Sequence, residues 1–149
     1  MRTAVKVVVA LTGTIALVGC ATLEESIAER TAETYYATLT GAQEVGGGDP
    51  NGTGKAEITI SDELDQICWD LNDIANIGPI TAAHIHSGLI RTNGPVVFTL
   101  RPANEGGYKG CTKASEWTED RIEGNPSAFY VNVHTAEYPN GAIRGQLQD

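Results

Sequence analysis

The sequence predicts an all-β protein with many turns. Short runs of alternating apolar and polar residues recur along the chain, and this alternation is typical of strands that bury one face. Glycine is abundant, at 17 of 149 residues, and apolar runs with the period of a helix are few. The length fits one domain with a core of its own.

The first 19 residues are predicted to be a signal segment. Arg2 and Lys6 supply positive charge, and the apolar stretch over residues 7–18 is too short to span a membrane comfortably. The segment ends in Leu17-Val18-Gly19-Cys20, which resembles the lipobox of bacterial lipoproteins. This resemblance implies cleavage before Cys20 and lipidation of its thiol. An ordinary secretory signal with a chance cysteine is the alternative.

Residues 20–33 are charged and alanine-rich, as expected of a lipidated tether before a domain over residues 34–149. Ala21 after the cysteine resembles the pattern of outer-membrane sorting in a Gram-negative cell. Cleavage would remove two cations and no acid, so the net charge would change from −9 to −11. Anionic lipid repels such a surface, so the lipid rather than charge would hold the protein at the membrane. Since no cluster of lysine or arginine occurs, we expect no nucleic-acid partner.

Two cysteines, Cys68 and Cys111, follow the tether. Oxidising compartments favour a disulfide between two such residues in an exported domain. Neither cysteine has a cysteine or histidine nearby at metal-ligand spacing. A disulfide is therefore predicted, and two free thiols or two metal thiolates are the alternatives.

The only three histidines are predicted to lie on one face of the sheet. His84 and His86 are separated by one residue in an extended run, so they project to the same side and Ile85 projects to the other. His134 ends a second alternating run over residues 129–134. If both runs share a sheet, the three imidazoles stand together on its polar face.

This histidine face allows two interpretations. Three neutral imidazoles within a few ångströms would form a copper or zinc site with an open coordination position, supported by Tyr130, Asn132 or Gln146. Arg144 on the same face argues against a cation unless an acid neutralises it. The alternative is a structural network in which the histidines bond to the backbone or to the Asn132 amide. The sequence leaves both open.

The remaining segments follow the same reasoning. Further strands are predicted over residues 35–40, 55–60, 66–71, 95–100 and 142–147. Residues 102–110 are predicted to be a loop. A short helix is predicted from Ser115, which suits an N-cap, to Gly124, which suits a stop.

Three blocks resemble the CHRD domain, a family named for its repeats in chordin and common in bacterial exported proteins. The blocks are Thr81–His86, Tyr130–Thr135 and Pro139–Leu147, and the earlier Leu39–Val45 resembles the start of that domain. The resemblance covers about residues 35–148. It implies an antiparallel, immunoglobulin-like β-sandwich of about seven or eight strands with one short helix, and it implies no agreed biochemical activity.

A fainter likeness is to Cu/Zn superoxide dismutase, another antiparallel sandwich with copper ligands on a His-X-His strand. His84 and His86 match that strand, and His134 would be a third ligand. The chain has no fourth histidine, so neither a bridging histidine nor separate copper and zinc ligand sets can be assembled.

The sequence therefore predicts a lipid-anchored binding or interaction module of the cell envelope, facing the periplasm or the exterior. Its partner would be a protein or a glycan, and no catalysis is assumed. The competing hypothesis is a copper- or zinc-binding protein that uses the three histidines. An enzyme that uses this metal is the third hypothesis.

Overall fold

A computed structural model describes residues 32–149. The predicted signal segment, Cys20 and all but the last two residues of the tether lie outside the described residues. None of the helices in the described part is long and apolar enough to cross a membrane. The helix α1 is Glu116–Gly124, and the strands are β1 (Ala32–Thr40), β2 (Thr53–Ser61), β3 (Gln66–Ala75), β4 (Ile80–Ser87), β5 (Val96–Leu100), β6 (Tyr108–Lys113), β7 (Phe129–Thr135) and β8 (Ile143–Gln146).

The eight strands form one antiparallel sheet in the order β5-β4-β7-β8-β1-β2-β3-β6. The sheet curls until its two halves face each other across one core. Trp69 of β3 contacts Phe98 of β5 with their ring centroids 5.9 Å apart, although these strands lie near opposite ends of the sheet. The predicted antiparallel β-sandwich with about seven or eight strands and one short helix is confirmed.

The alternation along each strand determines which side chains enter the core. Ile85 of β4, together with Val131 and Val133 of β7, is completely buried. The side chains between them in sequence therefore point to the outer face of the sheet. The same rule holds for the other strands, whose most deeply buried side chains are Leu39, Ile58, Ile60, Ile67, Leu100 and Ile143. The predicted register of the histidine strands is thus correct.

Helix α1 has the predicted cap and covers one end of the core. The Ser115 hydroxyl accepts a hydrogen bond from the Thr118 amide at 3.3 Å, which satisfies one of the free N–H groups of the first turn. Ile122 is fully buried, whereas Trp117 remains 62% exposed. The Arg121 guanidinium lies 4.4 Å from the Trp117 ring centroid.

Strand β6 corrects the prediction that residues 102–110 are all loop. Its first residues, 108–110, belong to an edge strand that, within residues 32–149, pairs only with β3. Most β6 side chains are exposed, so the alternation that reveals a half-buried strand is missing. Cys68 and Cys111 lie directly opposite each other with their Cα atoms 4.0 Å apart, and they form the predicted disulfide. This bond joins the edge strand to the sheet.

Replacing both cysteines with serine (C68S/C111S) should lower the free energy of unfolding by about 3–4 kcal/mol. The bond joins residues 43 positions apart, and its loss enlarges the conformational entropy of the unfolded chain. Equilibrium urea unfolding measures the change. Reductant should reproduce it in the wild type and leave the double variant unaffected. A loss below about 1 kcal/mol would contradict this account.

Candidate metal centre

Neighbouring strands β4 and β7 place the three histidines together on the outer face of the sheet. In the antiparallel register His84 lies opposite Asn132, His86 lies opposite Tyr130 and His134 lies opposite Ala82. His134 is therefore the diagonal neighbour of His84. One ring nitrogen from each histidine lies within 4.8 Å of the others, and all three side chains are partly buried. The predicted convergence of the imidazoles is present.

Backbone carbonyls orient two of the three rings. His86 Nδ1 lies 2.9 Å from the Gly94 carbonyl oxygen, and His134 Nδ1 lies 3.0 Å from that of Pro139. A carbonyl only accepts, so each Nδ1 must carry the proton and each Nε2 keeps its lone pair in the neutral ring. His84 Nδ1 lies 3.2 Å from His134 Nε2 and donates to it in the same assignment.

The remaining nitrogen of His86 has no partner. Its Nε2 is buried and makes no hydrogen bond with any described residue. A buried polar atom without a partner loses its hydration and gains nothing in return. Of the three imidazoles, His86 thus presents a lone pair that the protein itself leaves unsatisfied.

The surroundings keep the histidines neutral. Burial lowers the pKa of His84, His86 and His134, and the charge of Arg144 lowers the pKa of His86 and His134 further. The hydrogen bonds from His86 and His134 to backbone carbonyls act in the opposite direction. Neutral imidazole is the form that can bind a metal ion.

An acid that the sequence analysis did not identify neutralises Arg144. Glu44 reaches the same outer face from the loop over residues 41–48, and its Oε2 lies 2.9 Å from Arg144 Nη2. The other carboxylate oxygen accepts a hydrogen bond from the Asn132 amide. Both side chains of the ion pair are almost fully buried. Because both carboxylate oxygens accept hydrogen bonds, the geometry fits the ionised acid.

The sequence separation made this pair hard to predict, because its members are 100 positions apart. The sequence nevertheless contains one indication of this pair, in two of the blocks that resemble the CHRD domain. Glu44 is the only charged residue of Leu39–Val45, and Arg144 is the only charged residue of Pro139–Leu147. Two single opposite charges in two such blocks favour a contact between them.

Arg144 also holds the loop over residues 88–95, which orients His86. Its guanidinium donates to the Thr92 carbonyl at 2.9 Å and to the Asn93 side-chain oxygen at 2.7 Å. The guanidinium carbon lies 4.1 Å from the centroid of the Tyr130 ring. Tyr130 stacks on His86 in turn, with the centroids 4.9 Å apart and the planes 8° from parallel. Arg144, Tyr130 and His86 therefore form one column.

The predicted supporting residues thus differ in what they contact. Tyr130 touches His86, and its hydroxyl accepts from the Gly94 amide at 3.2 Å. The Asn132 amide bonds to Glu44 and not to a histidine. Gln146 donates to the carbonyls of Gly88 and Ser127, each at 2.7 Å. Asn132 and Gln146 therefore fix the surrounding loops.

The donor set fits copper or zinc. Metal–nitrogen distances of about 2.0–2.1 Å place tetrahedral ligand nitrogens about 3.3 Å apart. The present nitrogens lie within 4.8 Å of one another. Binding one ion with all three would require the side chains to rotate closer together and the His84–His134 hydrogen bond to open. Within residues 32–149 the group contains imidazoles alone, without a carboxylate or a thiolate. Imidazole suits copper and zinc, whereas calcium and magnesium prefer oxygen ligands.

A family model for the CHRD domain matches residues 35–147. The chain belongs to the CHRD domain family. This family match confirms the resemblance found in the sequence. Neither the curated proteins nor the solved structures contain a match to the chain. In this CHRD domain the quoted blocks supply β4, β7 and β8, which carry the three histidines and Arg144.

Replacing Glu44 with Gln should lower the free energy of unfolding by about 3–5 kcal/mol, because Arg144 is left buried and uncompensated. Burial raises the pKa of the Glu44 carboxyl above its usual value, although the contacts with Arg144 and Asn132 act in the opposite direction. Urea unfolding measures the loss. The matched control is Asp73→Asn, which breaks an ion pair with Lys55 whose side chains are 67% and 62% exposed. It should leave the unfolding midpoint unchanged. Equal effects of the two variants would contradict this account.

Proposed function

We propose that this CHRD domain is a binding module that holds one copper or zinc ion with His84, His86 and His134. One observation carries the proposal. The buried Nε2 of His86 has no hydrogen-bond partner among residues 32–149, although Gly94 fixes the opposite side of its ring. A bound cation would occupy that lone pair and remove the cost of burying it unsatisfied.

The geometry supports a metal site over a purely structural network. A network stabilises a fold when each buried member is satisfied, and a partly satisfied network costs stability. The bond between His84 and His134 leaves His86 Nε2 outside the network. The carbonyl bonds of His86 and His134 are the second interaction that orients a metal-bound histidine and fixes its tautomer.

Glu44 offsets the charge of Arg144, which by itself would disfavour a cation at this site. A guanidinium beside three neutral ligands repels a cation, and its charge lowers the pKa of two of them. The carboxylate in contact with Arg144 offsets that charge. The ligand set stays neutral, so the bound ion would keep its full charge and attract a further ligand at an open position.

The full chain, purified in a nonionic detergent and freed of metal, should bind one copper or zinc ion more tightly than micromolar. Isothermal calorimetry measures the stoichiometry, and histidine NMR should show all three imidazoles shifting together. Metal at about 100 times the dissociation constant should raise the free energy of unfolding by about 2.7 kcal/mol. Calcium and magnesium serve as controls and should give no binding, since imidazole does not suit them.

The variant in which all three histidines are replaced with Gln separates the two interpretations of the histidine face. Loss of metal binding in a variant that still folds in metal-free buffer agrees with the proposal. Loss of folding in that buffer would instead support a structural network. A wild-type protein that binds neither metal would also contradict the proposal, and a protein or glycan partner would then be the remaining binding function.

We also propose that the domain is exported and held at the membrane by a lipid on Cys20, facing the periplasm or the exterior. The support is the lipobox-like end of the signal segment, together with the Cys68–Cys111 disulfide, since such bonds persist in oxidising compartments. Two or more acyl chains anchor a protein stably. The domain would thus present its histidine face at the cell envelope.

Replacing Cys20 with Ser should move the protein from the membrane fraction to the soluble fraction of expressing bacteria. A clickable fatty acid should label the wild type and leave this variant unlabelled. The C68S/C111S variant is the control and should keep its label. Soluble, unlabelled wild-type protein would contradict the anchor and favour an ordinary secretory signal.

A further inference from the structure

The curled sheet does not close. Strands β5 and β6 are its two ends, and no backbone hydrogen bond joins them within residues 32–149. Near the loop over residues 101–107, Trp69 fills the space between the ends and donates from Nε1 to the Arg101 carbonyl at 3.1 Å. Along the rest of the two strands the edges face each other unpaired. We call this gap the seam.

A cavity of about 350 Å³ occupies the seam. One wall is β5, from Val96 to Thr99, and the other is formed by Thr112 and Lys113 of β6. Val96 is 48% exposed. Val97 and Phe98 are partly buried and pack against the core. The seam therefore offers apolar contacts beside a free strand edge, which is the combination that β-strand addition uses.

The seam also differs from the rest of the protein in charge. Residues 95–114 contain Arg101, Lys109 and Lys113 but only one acid, Glu105. Lys109 and Lys113 form exposed ion pairs with Asp70 and Asp65, at 2.7 and 3.5 Å. The side chain of Arg101 makes no ion pair or hydrogen bond with the described residues. Cations beside a free edge favour an acidic partner and repel a second copy of the same positive edge.

We infer that the seam is a docking site for an extended acidic segment of a partner polypeptide, which adds as a strand along the free edge of β5. Apolar side chains of the segment contact Val97 and Phe98. Acidic side chains, which alternate with them in a strand, reach Arg101 and Lys113. This inference does not depend on metal binding, because none of these side chains belongs to the histidine cluster.

An eight-residue peptide of alternating glutamate and valine is the probe, and it is titrated into the full chain in nonionic detergent. We expect binding that slows hydrogen exchange of the backbone amides of β5, which a contact through side chains alone would not do. The double variant Arg101→Glu/Lys113→Glu should bind this peptide at least about fivefold more weakly at low salt. Lys55→Glu changes an exposed lysine on β2 and should bind as the wild type does.

Three results would overturn the inference. The first is a lack of protection in β5 at millimolar peptide. The second is equal binding of a peptide of alternating lysine and valine, because the charge of the seam would then not distinguish an acidic peptide from a basic one. The third is protection of β5 that appears without peptide and grows with protein concentration, because a second copy of the chain would then occupy the seam.

Discussion

The buried ion pair between Glu44 and Arg144 is the interaction on which the outer face of this CHRD domain depends. It joins the loop over residues 41–48 to β8, and Arg144 extends the connection to the loop over residues 88–95. Gly141 packs against the Glu44 carboxylate with φ at +138°, where a Cβ atom would collide with it. That turn carries the Pro139 carbonyl that orients His134. This ion pair therefore supports both of the segments whose backbone carbonyls orient His86 and His134.

This arrangement explains how a strongly basic group can lie beside the proposed cation site. A buried guanidinium without a counterion would raise the cost of bringing a metal ion to the imidazoles, and low solvent exposure would strengthen that repulsion. Pairing with Glu44 opposes this field while Arg144 keeps its donors for Thr92 and Asn93. The arginine therefore organises the loops, and the glutamate makes its charge compatible with the ligands.

The sequence predicted the parts of the fold in which local pattern and burial agree. Alternation predicted the outward direction of His84 and His86, because successive side chains of a half-buried strand point in turn to the core and to the outer face. It missed β6, whose exposed edge position leaves no alternation to detect. The role of Glu44 was also missed, as was the placement of the loops over residues 41–48 and 88–95 beside the histidines. Their positions follow from contacts between distant residues, which no periodicity encodes.

Strand β5 connects the two proposed binding sites. Its residues Val96 and Thr99 lie directly opposite His86 and His84 on β4. A strand added to the free edge of β5 would therefore lie two strand spacings, about 10 Å, from the strand that carries these ligands. A partner docked in the seam would stand beside the histidine face without covering its ligands. The charge reversals at Arg101 and Lys113 leave every histidine in place, so failure of one proposal leaves the other to be judged on its own measurement.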